Sequence, residues 1–309
     1  MKPWIEYYNL PVPYDKLSSR HKTLLKMHYI LITSKALSSL DLYILRVLIV
    51  MMIWQCSYRD VEAYYYTDIV VRWFLGERKS KSENHRRAKK LRGEIKKAFK
   101  EYAKELEEKL SKLENYLPSS ALYGKVNKLW AIDSNIIEVP FGKRNKETLK
   151  KKLELNLRQG KFREAANLIY YYMRAKIHRR FKGEFAKKRG RSFFGFKVLY
   201  AISPTMILHA IQVEFANFPD NKVGFGMSGY KVVDRGFLGM PSTWIIGFSS
   251  FRRYVEFFGI FLKRYWRPYA INKDMVEVFV YVIGIIYNSL IYTSVLAKVP
   301  QEEFVKLSS

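Results

Sequence analysis

A single cysteine, Cys56, is all the thiol chemistry available in this 309-residue chain. That excludes a disulfide framework within the chain and any cysteine-rich zinc module. The five histidines, His21, His28, His85, His178 and His209, show no metal-ligand spacing. No glycine-rich loop ends in Gly-Lys-Ser/Thr, so ATP hydrolysis is not expected. The start, Met1-Lys2-Pro3-Trp4, lacks an apolar signal core, and export is not expected either. Acidic residues are scarce, 28 against 55 Lys and Arg, which leaves a formal charge of +27. Self-repulsion of that size is tolerated mainly opposite a polyanion. Nucleic acid is the first candidate partner and an anionic membrane surface the second. Hydrophobic residues make up 49% of the chain, enough for a sizeable core.

Long apolar runs are also few. Val278 to Leu296 is nineteen residues without a charge, long enough to cross a bilayer. It contains Tyr281, Tyr287, Asn288, Ser289, Tyr292, Thr293 and Ser294, however, which hydrocarbon would penalise. The expectation is a buried core helix and no membrane partner. Leu42 to Cys56 is interrupted by Arg46 and is too short to span.

Periodicity divides the chain. Residues 35–76 read as helical, with Leu42, Leu45, Leu48, Ile49, Met52 and Ile53 on one face. Ser57-Tyr58-Arg59-Asp60 reads as a turn capping a second helix that runs to Leu75, where Gly76 closes it. From Glu77 to Leu117 there are fourteen Lys or Arg and eight Glu, which predicts a long solvated helix with a stripe at Leu106, Leu110, Leu113 and Leu117. Pro118-Ser119-Ser120 then marks a domain boundary, separating a helical N-terminal region, 1–120, from a second domain, 121–300.

The second domain opens with extended patterns. Leu129 to Ile132 is a short apolar run ending in Asp133. Phe194 to Ile202 and Met206 to Phe215 read as an antiparallel hairpin across Ser203-Pro204-Thr205. Tyr230 to Val233 is a fourth run, ending in Asp234, and the chain is helical from about Phe251. Strands followed by helices predict an α+β or mixed α/β catalytic unit. Between the first two strands a basic, helical insertion at about 143–191 holds eighteen Lys or Arg against four Glu, a net +14. Charge of one sign at that density is the footprint of a DNA or RNA track. Arg179, Arg180, Lys187, Lys188 and Arg189 lie in it, and Tyr170, Tyr171 and Tyr172 read first as packing residues and only second as a surface for base stacking.

An aspartate ending an apolar strand needs a partner for its charge, and a divalent ion is a natural one. Glu256 lies in the C-terminal helical part, with Lys263 seven residues on and so two turns along the same face. Three acids around two metal ions can drive in-line phosphoryl transfer.

Taken in order, Trp130-Ala131-Ile132-Asp133-Ser134, Phe194-Gly195-Phe196-Lys197-Val198 and Val233-Asp234-Arg235-Gly236-Phe237 resemble the strands and acidic motifs of insertion-sequence DDE transposases with an RNase H-like catalytic core. Arg252, Glu256 and Lys263, separated by three and six residues, are similar to that family's third signature, and Ser57 to Glu62 resembles its N-terminal helical domain. The resemblance implies a catalytic triad of Asp133, Asp234 and Glu256 holding two Mg2+ or Mn2+ ions. It implies DNA contacts from Arg252, Lys263 and the adjacent Arg264. It further implies double-stranded DNA, as terminal inverted repeats and as target, for a partner, a homodimer as the working unit and a cytoplasmic, nucleoid-associated location.

The chain departs from the family in two ways. Ser249 stands where the signature has a tyrosine, and only twenty-one residues separate Asp234 from Glu256, which leaves little room for a helix and a fifth strand. Asp220 is the rival second aspartate, separated from Glu256 by thirty-five residues but in the loop-like Asn217-Phe218-Pro219-Asp220-Asn221. Two other functions share the same charge pattern: a DNA-binding relative without catalysis, and a metal-dependent nuclease without strand transfer.

Overall fold

The computed structural model describes residue 4 and residues 11–113, 129–138, 153–171, 184–188, 191–222, 224–233, 237, 244–245, 249–266 and 273–297. The N-terminal part is helical: α1 Ser19–Thr33, α2 Leu42–Trp54, α3 Tyr58–Thr67, α4 Ile69–Leu75 and α5 Lys81–Ser111. Each start has a side-chain cap. Ser18, Asp41 and Ser80 accept amide hydrogens at the heads of α1, α2 and α5, and Ser57 forms a full capping box with Asp60 at α3.

Two sequence expectations need correction here. Residues 35–41 are turns, because Glu105 of α5 accepts the Ser34 hydroxyl at 2.8 Å and the Ala36 amide at 3.1 Å and draws that segment off the helical path. The helix expected to run to Leu75 is broken at Asp68, whose extended backbone (φ −122°) lets its carboxylate take the Val70 and Val71 amides and start α4. Gly76, at φ +75°, then closes α4 as expected.

Helix α5 is not the solvated rod its composition suggests. One face, including Leu91, Ile95, Phe99, Tyr102, Leu106 and Leu110, is buried, and the charges occupy the other. The buried face meets α8 (Lys273–Leu296), where Tyr102 and Ser289 share a hydrogen bond of 2.9 Å between their hydroxyls. Phe99 packs edge-on against Tyr281, with centroids 5.4 Å apart. Gly284 makes this closeness possible, since a Cβ there would lie 2.9 Å from both Phe99 and Ile211.

The remaining described elements are β1 Trp130–Glu138, α6 Phe162–Tyr171, β2 Glu184–Lys188, β3 Arg191–Ile202, β4 Leu208–Phe215, β5 Lys231–Val232, β6 Trp244–Ile245 and α7 Ser249–Tyr265. The six strands form one mixed sheet. β1 pairs antiparallel with β3 along its whole length from Ala131, and β3 pairs antiparallel with β4. On the other side of β1, β5 and then β6 run parallel to it. The sheet therefore reads β4-β3-β1-β5-β6, with β2 end to end with β4 on the same side of β3, because Gly195 pairs with Glu138 on one side and Glu184 on the other. The fold is mixed α+β. The fifth strand in this order, β6, is present despite the short spacing, as a two-residue strand.

The strands also correct two expectations. Asp133 is not at a strand tip: β1 continues five residues beyond it to Glu138, held by the β3 ladder. The insertion at 143–191 is not wholly helical, since β2 lies within it and extends the sheet. The proposed boundary at Pro118-Ser119-Ser120 lies outside the described residues.

The sheet's two faces differ. Ala131, Ile137, Phe196, Val198, Tyr200 and Ile211 face the helices and join a core that also contains Leu24, Leu48 and Leu106 from the N-terminal helices. The opposite face buries a smaller group, Ile132, Leu199, Ala201, Ala210, Val233 and Phe237. Helix α8 is the one described helix long and apolar enough to cross a membrane, and its entire apolar stretch is buried inside the protein. Its polar residues have partners there: Asn288 exchanges two hydrogen bonds with the Leu208 backbone, at 2.8 and 2.9 Å, and Tyr281 donates to the Ile211 carbonyl at 3.0 Å. This is the core helix expected from its polarity.

Candidate active site

Asp133 lies on the helix-facing side of the central strand β1, directly opposite Tyr200 of β3. One carboxylate oxygen accepts the Ser134 amide at 2.7 Å, and the Tyr200 hydroxyl donates to the carboxylate as well. Tyr200 in turn accepts from Asn135 Nδ2 at 2.6 Å. Asn135 follows Asp133 by two residues and so shares its face of the strand. Tyr200 is fully buried against Phe258, whose ring centroid is 4.7 Å away. Burial first, and then the Asp133 charge, push the Tyr200 hydroxyl well above its ordinary range. It therefore stays a proton donor and fixes the Asp133 carboxylate in one orientation.

Helix α7 brings Glu256 to this side of the sheet. Its apolar face, Val255, Phe258 and Leu262, is buried, while Glu256, Lys263 and Arg264 are exposed. Gly259 sits against Asn135 and the Tyr200 hydroxyl, and Trp266, just past the helix, donates to the Glu138 carbonyl at 2.9 Å. Seven helical residues from Gly259 to Trp266 rise about 10 Å, and three strand residues from Asn135 to Glu138 also rise about 10 Å. Helix and strand thus run side by side in the same direction. One turn before Gly259, Glu256 comes level with Asp133 and Ser134 along the strand axis.

The rival aspartate is elsewhere. Asp220 pairs with Lys197 Nζ at 3.2 Å, and Lys197 alternates with Tyr200's face to project from the opposite side of the sheet. The sheet thus separates Asp220 from Asp133. Asp234 lies outside the described residues, as do Arg179, Arg180 and Arg189. Lys187 and Lys188 are on strand β2, and Arg252 and Ser249 are in the first turn of α7. Among the described residues no three His, Cys, Asp or Glu side chains are gathered closely enough to hold a metal ion. The chemistry of Asp133 and Glu256 does fit a hard divalent ion, since both offer carboxylate oxygens.

Sequence reasoning passed over Tyr200, Asn135 and Gly259. Spacing was the available signal: Asn135 lies two residues after Asp133, and Gly259 lies three after Glu256. It also passed over Glu107 on α5, whose Oε1 accepts from Ser203, Thr205 and, at 2.9 Å, His209 Nε2. Burial opposes ionisation of Glu107, but the hydrogen bonds from His209, Ser203 and Thr205 outweigh it and hold its pKa low. Ser203 and His209 converge on one carboxylate oxygen instead of on each other, which is a structural tie between α5 and the β3–β4 turn and not a nucleophile–base pair. Compared with known protein families, with characterised proteins and with solved structures, the chain matches none.

Proposed function

We propose that the protein is a DNA transposase of a mobile insertion sequence, built on an RNase H-like catalytic core. The observation that carries this reading is the position of the two described acids in the sheet. Asp133 is on the central strand β1, with β3 antiparallel to it and β4 antiparallel to β3 on one side, and the parallel β5 and β6 on the other. Glu256 is on the helix that follows the last of these strands and comes level with Asp133. That strand order and helix placement are compatible with an RNase H-like core, and the charge of +27 favours a nucleic-acid partner.

In this reading Asp133, Asp234 and Glu256 hold two Mg2+ or Mn2+ ions, which, when bound, supply activation of the attacking oxygen and stabilisation of the leaving one. The chain's own contribution is to orient and to grip. The Tyr200 hydroxyl and the Ser134 amide aim the Asp133 carboxylate. Lys263, two turns from Glu256 on the same helix face, meets backbone phosphate beside the reacting bond, with Arg252 and Arg264. Hydrolysis at the element's end frees a 3′-hydroxyl, and that hydroxyl then attacks target DNA. Neither step needs a nucleotide cofactor. The N-terminal helices recognise the terminal repeats and help pair two subunits, and the basic insertion, with Arg179, Arg180, Lys187, Lys188 and Arg189, holds flanking or target DNA. A cytoplasmic, nucleoid-associated location follows from that work.

The deciding experiment is cleavage of DNA carrying the gene's own flanks in Mg2+ or Mn2+, at equal DNA occupancy. Loss of cleavage in Asp133→Ala, Asp234→Ala and Glu256→Gln, with cleavage kept in Asp220→Ala, supports the reading. Wild-type protein that binds the fragment but cuts it with neither metal would instead be a DNA-binding relative without catalysis. Cutting without joining to a second DNA would make it a nuclease.

A further inference from the structure

The outer edge of β4 carries a basic groove that is separate from the α7 site. Helix α8 covers this edge near its start, through Asn288 at Leu208 and Tyr281 at Ile211. Beyond Ile211 the edge opens into a groove of about 430 Å³, walled by α5, α8, Lys222, Gly224 and Phe225. Two acids line it, and both are ion-paired: Glu214 with Lys273 at 2.8 Å, and Glu277 at 2.8 Å with Arg92, which also holds Asp274 at 3.0 Å. Three lysines line it too. Lys96 and Lys100, one turn apart on α5, line it together with Lys222. Among the described residues none of the three forms an ion pair with an acid. A groove whose acids are spent and whose cations are uncommitted is complementary to an extended anion.

We infer that this groove is a second nucleic-acid site, in which Lys96, Lys100 and Lys222 hold consecutive backbone phosphates of a DNA strand lying along the β4 edge. The inference rests on the nucleic-acid reading above and adds a track that no acidic motif of the sequence points to. Ile211 is in register with Tyr200 and Asp133 across the sheet, two strand spacings or about 10 Å from β1. DNA held in this groove is therefore close to the α7 site without passing through it. Phosphate contact at this edge also accounts for the positive charge on the exposed face of α5, far from the basic insertion in sequence.

The test uses the full chain and a short mixed-sequence DNA duplex. Lysine acylation read by mass spectrometry, with and without DNA, reports on each lysine directly. Protection of Lys96, Lys100 and Lys222 by DNA is expected. In the Lys96→Gln/Lys100→Gln/Lys222→Gln variant the slope of log affinity against log salt should become shallower by about 2.7, the value for three lost phosphate contacts. Thermal melting of the variant checks that the fold is intact. If wild type binds DNA but the three lysines label as fast with DNA as without, the groove proposal is overturned and the transposase reading stands. If wild type binds no DNA at all, both fall. Protection of the same lysines by phosphatidylserine vesicles but not by DNA would overturn the proposal in favour of a membrane surface.

Discussion

The backbone of Gly259 rests against the side-chain amide of Asn135, so closely that a Cβ there would lie 2.3 Å from Nδ2 and 2.8 Å from the Tyr200 hydroxyl. Both of those atoms belong to the hydrogen-bond chain that ends on Asp133. Gly259→Ala must therefore push α7 away from β1, and Glu256 with it. The expected cost is about 1–3 kcal/mol in urea unfolding, as for other overpacked sites. Cleavage should fall further than stability alone explains. Gly93→Ala is the control: nothing lies within 4 Å of a Cβ there, and in the middle of α5 the change should stabilise by roughly 0.5–1 kcal/mol.

Tyr200→Phe removes one oxygen and leaves two groups without it, Asn135 Nδ2 and the Asp133 carboxylate. Because the site is buried, unfolding should become easier by about 1–3 kcal/mol. Metal-dependent cleavage should drop while DNA affinity stays the same. Equal losses in both would mean that Tyr200 supports the fold and does not orient Asp133.

Asn288 acts as a short piece of neighbouring strand, giving one hydrogen bond to the Leu208 backbone and taking another, with no solvent access. Asn288→Asp keeps the shape but sets a carboxylate against the Leu208 carbonyl. At neutral pH this should cost about 3–5 kcal/mol, the penalty of an unpaired buried charge. The loss should shrink as pH falls, because a protonated carboxyl can donate to Leu208 again. Chemical unfolding of this variant at several pH values checks both statements.

His28 sits on α1 with its ring 4.6 Å from that of Trp73, near Arg46. Burial, and then the Arg46 charge, lower its pKa from 6.5 to about 4. The folded state therefore resists a proton that the unfolded chain accepts. Its contribution to stability is complete above pH 6.5 and is lost as pH falls toward 4. Wild type should lose melting temperature across that window, and His28→Leu should lose less of it. An unchanged slope in His28→Leu would assign the acid loss to other groups.

The caps and turns of the N-terminal helices are legible in the sequence because they are local: Ser57 and Asp60 meet within one turn, and Gly76 needs only its own φ. What is not legible depends on distant partners. The polar Ser134-Asn135 hides the continuation of β1, which is held by residues 195–202 of β3. The lysines of β2 read as part of a solvated insertion, yet they pair with β3 in an antiparallel ladder. On α5 the periodic Leu91, Ile95, Phe99 and Tyr102 were present all along, but the charges between them dominate the composition. Asp133 and Glu256 could be picked out in the sequence. Tyr200 and Gly259 could not, since their importance comes from what lies across the strand and the helix.

Helix α8 touches α1, α2, α5, α7 and β4, and follows every other described element in the chain. The helix that joins these elements is therefore made after all of them. Until residues 273–296 emerge, the apolar faces of α2, α5 and β4 lack one of their packing partners, so their full burial waits for that helix. Those faces stay exposed on the nascent chain until α8 has been made, which is when shielding matters most.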